Sequence, residues 1–240
     1  MKSVRAKHLV PNCFTLANIG FGFLAILSAS EAHFERAVLC LFGAAVCDLV
    51  DGRAARILQA TSKFGMELDS LSDLVSFGVA PAVTLYLASL RGLGPIGAVV
   101  AVGYLLTGAL RLARYNLGAA PLGEVTFEGV PIPVAAGYVM SFVMLRGSAP
   151  AWLLGLGTAA LSLLMVTKLK IPKFRKGGLP IWLMLIGMAL FTIFLKSPHG
   201  LTWHLWNGWN LVLLLANYGM LKRHGLLATR KERPYLRRAA

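Results

Sequence analysis

Residues 48–73 read DLVDGRAARILQATSKFGMELDSLSD, and they contain all four aspartates of the 240-residue chain. Asp48 and Asp51 are three residues apart, and Asp69 and Asp73 are four apart, so each pair shares one face of a helix. The connection between the pairs is short. The stretch therefore predicts two antiparallel neighbouring helices whose carboxylates face each other at one level.

The composition of the chain is that of a membrane protein. Hydrophobic residues make up 57% and charged residues 14% of the chain, and the mean hydropathy is +0.67, whereas about a quarter of a typical globular domain is charged. Backbone groups in lipid must pair within their own segment, so we predict an all-α integral membrane protein with about eight transmembrane helices. The apolar segments are roughly 12–30, 34–57, 67–90, 94–115, 131–147, 150–167, 179–196 and 203–221.

The distribution of Lys and Arg predicts the orientation. With a cytoplasmic N-terminus, all but four of the 24 basic residues lie on the cytoplasmic side, which predicts that both termini are cytoplasmic. The chain then divides into a cytoplasmic N-terminal segment (1–11), a polytopic membrane domain (12–221) and a basic cytoplasmic tail (222–240). The net charge of +14 does not predict a nucleic-acid partner, because the basic residues lie between apolar runs. We expect the tail to lie against anionic membrane lipid.

The four carboxylates predict a metal site. Uncompensated carboxylates repel one another in a low dielectric, and hard divalent cations relieve that repulsion. Two Mg²⁺ or Mn²⁺ ions about 4 Å apart suit a displacement at phosphorus. Helix capping is a competing interpretation for Asp69, but it does not explain two aspartates at the C-terminal end of the second helix.

Small and basic residues between the aspartate pairs fit the same interpretation. Gly52 leaves space for a substrate to approach the backbone, and Arg56, one turn further on, reaches a phosphate. Gly65 is expected to permit a tight turn into the third helix. These residues predict a substrate groove beside the carboxylates.

The pattern Asp48-x2-Asp51-Gly52-x2-Ala55-Arg56-x8-Gly65-x3-Asp69-x3-Asp73 resembles, at every position, the signature of the CDP-alcohol phosphotransferase family. Five further stretches resemble its phosphatidylserine synthase branch. They are Pro11-Asn12-x2-Thr15, Ser62-Lys63-Phe64-Gly65, Ser76-Phe77-Gly78-Val79-Ala80-Pro81, Arg111-Leu112-Ala113-Arg114-Tyr115-Asn116 and Gly129-Val130-Pro131-Ile132-Pro133. The resemblance implies a six-helix core followed by two C-terminal helices.

The resemblance also implies the chemistry. An alcohol attacks the β-phosphorus of a CDP-linked lipid and expels CMP; in this branch the lipid is CDP-diacylglycerol, the alcohol is the hydroxyl of L-serine, and the product is phosphatidylserine. Two divalent cations are implied, with Asp48 and Asp69 contacting both, Asp51 the first and Asp73 the second. Asp73 is also the implied general base. The implied setting is a homodimer in the cell membrane, with its active site on the cytoplasmic side.

The same resemblance implies a set of residues that bind the CDP-lipid. Gly52 and Arg56 bind the CDP moiety and its phosphates. The remaining members of the set are Asn12, Thr15, Ala55, Ser62 and Gly65.

Arg111, Arg114 and Asn116 end the fourth segment and have two interpretations. The arginines are either positive-inside anchors or part of an acceptor pocket in which an arginine holds the serine carboxylate. The ammonium group of serine would need an acid, and the sequence does not choose among Glu67, Glu124 and Glu128.

Other functions stay open at this point. The acceptor alcohol could be glycerol 3-phosphate, inositol phosphate or choline, and the donor an archaeal ether lipid. Aspartate-rich membrane prenyltransferases carry their two acidic motifs on helices far apart in sequence, unlike this chain. A transporter or proton channel would place carboxylates near the bilayer midplane, often within internal repeats, and none is visible here.

Overall fold

The structure is a computed structural model that describes residues 2–117, 126–167 and 170–172. Helices dominate this part of the chain. The helices are α1 (Lys2–Ser30), α2 (Phe34–Ile57), α3 (Lys63–Asp73), α4 (Ala80–Ala88), α5 (Pro95–Leu117), α6 (Ile132–Met144) and α7 (Ala151–Val166). A π-helical segment, Leu74–Val79, joins α3 to α4, and a 3₁₀ turn, Leu90–Leu93, precedes α5.

The described residues belong to two compact units. The first contains residues 2–117 and 130–167, and therefore all seven helices. The described part of the second includes strands β1 (Thr126–Glu128) and β2 (Lys170–Pro172), which pair antiparallel. The helices confirm the predicted all-α class for the described residues. The small ribbon was not predicted, because a three-residue strand is too short to show an alternating pattern.

The first six predicted membrane segments each correspond to a helical region. The largest difference is at the start of the first helix, which begins at Lys2 and contains Pro11, rather than beginning at residue 12. The third helical region begins at Lys63 rather than at residue 67. The predicted segments 179–196 and 203–221 and the basic tail lie outside the described residues, so the count of eight helices stays a prediction.

Three of the described helical spans are long and apolar enough to cross a membrane: Leu9–Ser30, Lys63–Ala88 and Pro95–Leu117. The apolar helices α6 and α7 are shorter. Many large apolar side chains on these elements are exposed, such as Leu106, Leu110 and Leu163. This distribution is typical of helices that face lipid, since lipid does not penalise exposed apolar side chains.

Helix α1 packs closely against α3 and the π-helical segment. The buried Ser72 hydroxyl donates to the Thr15 carbonyl oxygen at 3.1 Å, and the Ser76 hydroxyl donates to the Asn18 carbonyl oxygen at 2.8 Å. Gly22 allows this approach, because an added Cβ would lie 2.9 Å from the Ser76 Cα. Small residues and interhelical hydrogen bonds commonly hold membrane helices together in this way.

Gly22→Ala is expected to lower the melting temperature by several degrees, because overpacking of a close contact costs about 1–3 kcal/mol. Gly20→Ala is the matched control, since an added Cβ at Gly20 would have no neighbour within 4 Å. Thermal unfolding of both variants in detergent measures the difference. Equal melting temperatures for the two variants would show that the contact between Gly22 and Ser76 is not tight.

Candidate active site

Three of the four aspartates converge in space. Asp48 and Asp51 lie near the C-terminal end of α2, Asp69 lies in α3, and one carboxylate oxygen of each lies within 4.8 Å of the others. Asp51 is the most buried of them, with 4% of its surface exposed. The predicted meeting of the two helices at their carboxylates is confirmed for these three residues, which we call the carboxylate triad.

Asp73 lies at the end of α3, one residue before the π-helical segment, and is outside the triad. Its carboxyl group lies at hydrogen-bonding range from that of Asp48. Asp51 and Asp69 are close enough to repel it electrostatically. All four aspartates therefore form one cluster, in which Asp48 connects the triad to Asp73.

The chemistry of the cluster fits divalent cations. Buried oxygens of Asp51, Asp69 and Asp73 have no hydrogen-bond partner among the described residues. The ion pairs found in that part of the chain involve Glu31 and Glu35 rather than these aspartates. Oxygen atoms that are clustered, buried and not neutralised are the ligands that Mg²⁺ and Mn²⁺ prefer.

A groove of about 180 Å³ lies beside the triad, and Asp51 and Asp69 form part of its wall. It brings together every residue of the predicted CDP-lipid set. These are Asn12, Thr15, Gly52, Ala55, Arg56, Ser62 and Gly65. Their binding roles stay predictions, but residues from the first, second and third helices share one surface.

Arg56 and Gly52 are adjacent within this groove. A Cβ added at Gly52 would lie 3.8 Å from a terminal guanidinium nitrogen of Arg56, and no closer contact occupies that space. The Arg56 side chain is exposed. An open backbone beside an exposed guanidinium group is an arrangement that suits the binding of a phosphate group.

Ser62 and Gly65 shape the beginning of α3. The Ser62 hydroxyl caps the helix by accepting a hydrogen bond from the Gly65 backbone N–H at 3.0 Å. Ser62 is thus the cap, and the capping interpretation of Asp69 is wrong because Asp69 lies in the helix interior.

The prediction that Gly65 makes a tight turn is also wrong. Gly65 is inside α3 and does not have a positive φ. A Cβ there would lie 3.2 Å from the Ser62 Oγ and 3.6 Å from the Asn12 Oδ1. Glycine at this position therefore provides room between the cap and α1.

Four further residues line the groove and were not in the predicted set: Pro11, Ala60, Thr61 and Met66. Pro11 and Thr61 directly precede predicted residues. Ala60 and Thr61 belong to the connection between α2 and α3, whose path helical periodicity does not determine. The sequence could have indicated Pro11 and Thr61, because they are adjacent to the predicted residues Asn12 and Ser62.

The three candidate acceptor residues have different surroundings. Arg111 is 7% exposed, its Nε has no partner among the described residues, and it is close enough to Asp73 for electrostatic attraction. Arg114 donates from Nη1 to the Val166 carbonyl oxygen at 2.9 Å, and Asn116 donates from Nδ2 to the Ser70 hydroxyl at 3.0 Å. Arg114 and Asn116 therefore also connect α5 to its neighbours.

Arg111 and Arg114 contribute to the wall of a second cavity of about 610 Å³, together with Leu110, Ala113, Leu117 and Val166. Of the acids considered for the ammonium group, Glu67 is exposed on α3 and Glu128 lies in β1. Glu124 lies outside the described residues. The structure thus singles out Arg111 as the buried cation beside the carboxylate cluster.

Comparison with known proteins identifies the family. A family model described as CDP-alcohol phosphatidyltransferase matches residues 8–167. The CDP-diacylglycerol–serine O-phosphatidyltransferase of Bacillus subtilis (strain 168) is 42% identical over 169 residues, which cover 70% of this chain and 93% of that protein.

Two further relatives carry the same name. The protein of Helicobacter pylori (strain J99) is 37% identical over 180 residues, covering 72% of this chain and 76% of its own length. The protein of Methanocaldococcus jannaschii is 34% identical over 223 residues, which cover 92% of this chain and 98% of that protein. This chain therefore belongs to the CDP-alcohol phosphatidyltransferase family of membrane phosphotransferases.

Proposed function

We propose that the protein transfers the phosphatidyl group of CDP-diacylglycerol to the hydroxyl of L-serine, giving phosphatidylserine and CMP. The observation that carries this proposal is the groove in which the predicted CDP-lipid residues meet Asp51 and Asp69. Serine as the acceptor is supported by the names of the relatives and by the stretches that resemble the phosphatidylserine synthase branch.

The aspartates would hold two divalent cations, with Asp48 and Asp69 shared between them, Asp51 on the first and Asp73 on the second. When bound, the cations neutralise the pyrophosphate and stabilise the charge that develops on the departing CMP. Arg56 binds the diphosphate where Gly52 leaves the backbone open. Binding in this groove orients the lipid phosphate toward the carboxylate cluster.

Asp73 acts as the general base. The serine hydroxyl oxygen forms a bond to the β-phosphorus as the bond between that phosphorus and the bridging oxygen breaks. The electron pair of the broken bond leaves with CMP, and the serine proton moves to the Asp73 carboxylate. One buried oxygen of Asp73 has no hydrogen-bond partner among the described residues, which supports this assignment because a base needs a free acceptor atom to take a proton.

The site would lie at the cytoplasmic membrane surface, in a bundle of eight transmembrane helices with both termini in the cytoplasm. The asymmetry of Lys and Arg supports this orientation. CDP-bearing lipid and serine then meet at the interface, while the acyl chains stay in the bilayer. The homodimer likewise stays a prediction.

An acceptor comparison tests the substrate assignment. Purified protein is given CDP-diacylglycerol with serine, glycerol 3-phosphate or inositol phosphate separately, and the lipid product is identified by mass spectrometry. Phosphatidylserine as the dominant product supports the proposal. A different phosphatidyl product would overturn the assignment of serine as the acceptor. In a second set of reactions a CDP-linked ether lipid replaces CDP-diacylglycerol, and turnover with the ether lipid but not with CDP-diacylglycerol would overturn the assignment of the donor.

Arg111→Ala is expected to raise the KM for serine about tenfold or more. In the proposed site Arg111 makes a buried, charge-assisted hydrogen bond to the carboxylate group of the bound serine, and the variant loses this bond. The KM for CDP-diacylglycerol should stay within about twofold of wild type. Arg91→Ala is the matched control, because Arg91 is an exposed residue of the 3₁₀ turn Leu90–Leu93. An unchanged serine KM in Arg111→Ala would remove Arg111 from the acceptor pocket.

A further inference from the structure

Asn18 is a fully buried side chain in the middle of α1, with 0% of its surface exposed. Neither its Oδ1 nor its Nδ2 has a hydrogen-bond partner among the described residues. Burying an amide without a partner is costly, so such a side chain usually serves a ligand or another polar group. The predicted site did not include this residue.

Packing of α1 against α3 and the π-helical segment shows how far along the helix bundle Asn18 lies. Ser72 donates to the carbonyl oxygen of Thr15, and Ser76 donates to the carbonyl oxygen of Asn18 itself. Gly22 lies against Ser76, and Asn18 is one helical turn before Gly22, as Ser72 is one turn before Ser76. Asn18 therefore lies at about the height of Ser72 and Asp73.

Packing against α2 gives the same level. Thr15 and Asp51 line the same groove, and a Cβ added at Gly43 would lie 3.1 Å from the Phe21 ring. Because α1 and α2 are antiparallel, Asn18, midway between Thr15 and Phe21, lies level with Cys47 and Asp48. Both sets of contacts therefore place Asn18 at the same height along the helices as Asp48 and Asp73.

We propose that Asn18 is a positioning residue whose carboxamide Nδ2 donates a hydrogen bond to the Asp48–Asp73 pair and orients it for metal binding. In this structure the carboxyl groups of Asp48 and Asp73 lie at hydrogen-bonding range from each other, and one buried oxygen of Asp73 has no hydrogen-bond partner among the described residues. When these aspartates hold a cation, Asn18 would keep one of the two carboxylates in the orientation that metal binding needs. This inference rests on the metal-binding part of the proposed function.

Asn18→Leu tests the inference, because leucine has nearly the shape of asparagine but lacks its polar atoms. Binding of Mn²⁺ alone, without substrates, is measured by titrating the purified full-length protein and following free Mn²⁺ by electron paramagnetic resonance. We expect the dissociation constant to rise about 10- to 100-fold, as for other hydrogen-bond partners of metal ligands. The melting temperature without metal should stay the same or rise, since a buried unpaired amide is removed.

Thr158→Val is the matched control. Thr158 is 1% exposed on α7, and its hydroxyl donates within its own helix to Leu154, so Mn²⁺ affinity should not change. If Asn18→Leu does not fold, Asn18→Ala and Thr158→Ala replace the pair, with the same expected contrast.

A change of less than about threefold in Mn²⁺ affinity for the Asn18 variant, with wild-type protein binding Mn²⁺, would overturn the inference alone. Failure of wild-type protein to bind Mn²⁺ would instead overturn the metal-binding part of the proposed function, and the inference with it. Formation of phosphatidylserine, measured separately, tests the substrates independently of Asn18.

Discussion

Asp73→Asn is expected to reduce the rate of CMP release by a factor of at least about 10²–10⁴, because the amide cannot accept the proton of the attacking hydroxyl. Asparagine keeps the shape of aspartate and can still occupy the position beside Asp48. Binding of a CDP-containing nucleotide should therefore remain measurable. Turnover is measured as CMP released per folded protein, and nucleotide affinity by equilibrium titration.

Glu35→Gln is the matched control for this variant. Glu35 is an exposed carboxylate in the first turn of α2 and does not line the groove, so its neutralisation should leave turnover near that of wild type. An Asp73→Asn protein that retained most of its activity would show that another group takes the serine proton.

Asp51→Asn should produce opposite effects on activity and on stability. Asp51 is almost completely buried, belongs to the carboxylate triad and lines the groove. Loss of a charged metal ligand is expected to lower activity at least about 10²-fold. Without metal, however, the variant should be as stable as wild type or more stable, because one of several mutually repelling buried charges is removed.

Thermal unfolding with and without Mn²⁺ checks the second effect. Wild-type protein should gain stability with Mn²⁺, since a ligand that binds the folded state raises the melting temperature, and the variant should gain much less. An Asp51→Asn protein that was destabilised without metal, and stabilised by Mn²⁺ as strongly as wild type, would contradict a metal-binding role for this residue.

The carboxylate cluster was predictable from the sequence, because helical periodicity and the positions of the charged residues together determine it. Spacings of three and four residues place each aspartate pair on one helix face, and a short connection between helices forces those faces to meet. The convergence of Asp48, Asp51 and Asp69 follows from these two constraints. The groove residues could be named because the resemblance covers them, although their contacts depend on packing.

Features that depend on the meeting of distant segments were not predictable. The close contact of Gly22 with Ser76 depends on how α1 lies against the third helical region. So does the burial of Asn18, whose side chain has no hydrogen-bond partner in the part of the chain that the structure describes. The π-helical segment after Asp73 interrupts an otherwise uniform apolar run, and the Tyr104 hydroxyl donates to the Phe77 carbonyl oxygen within it at 2.9 Å. Apolar composition predicts a helix there but not its local winding.

The start of the first helix shows a different limit. The apolar run that follows the basic N-terminal residues predicted a first membrane segment beginning at residue 12. In the structure α1 begins ten residues earlier, at Lys2, with Pro11 in its interior. Interior proline is tolerated in membrane helices, where neighbouring groups satisfy the freed backbone atoms.

The most direct test of the central claim is the release of CMP from CDP-diacylglycerol by the purified protein in detergent. Reactions contain Mn²⁺ or Mg²⁺ with and without L-serine, and an excess of EDTA provides the control. We expect CMP release that requires both the metal and serine and that stops when EDTA is added. Folded protein that releases no CMP with serine, or that releases it equally well in EDTA, would contradict the account.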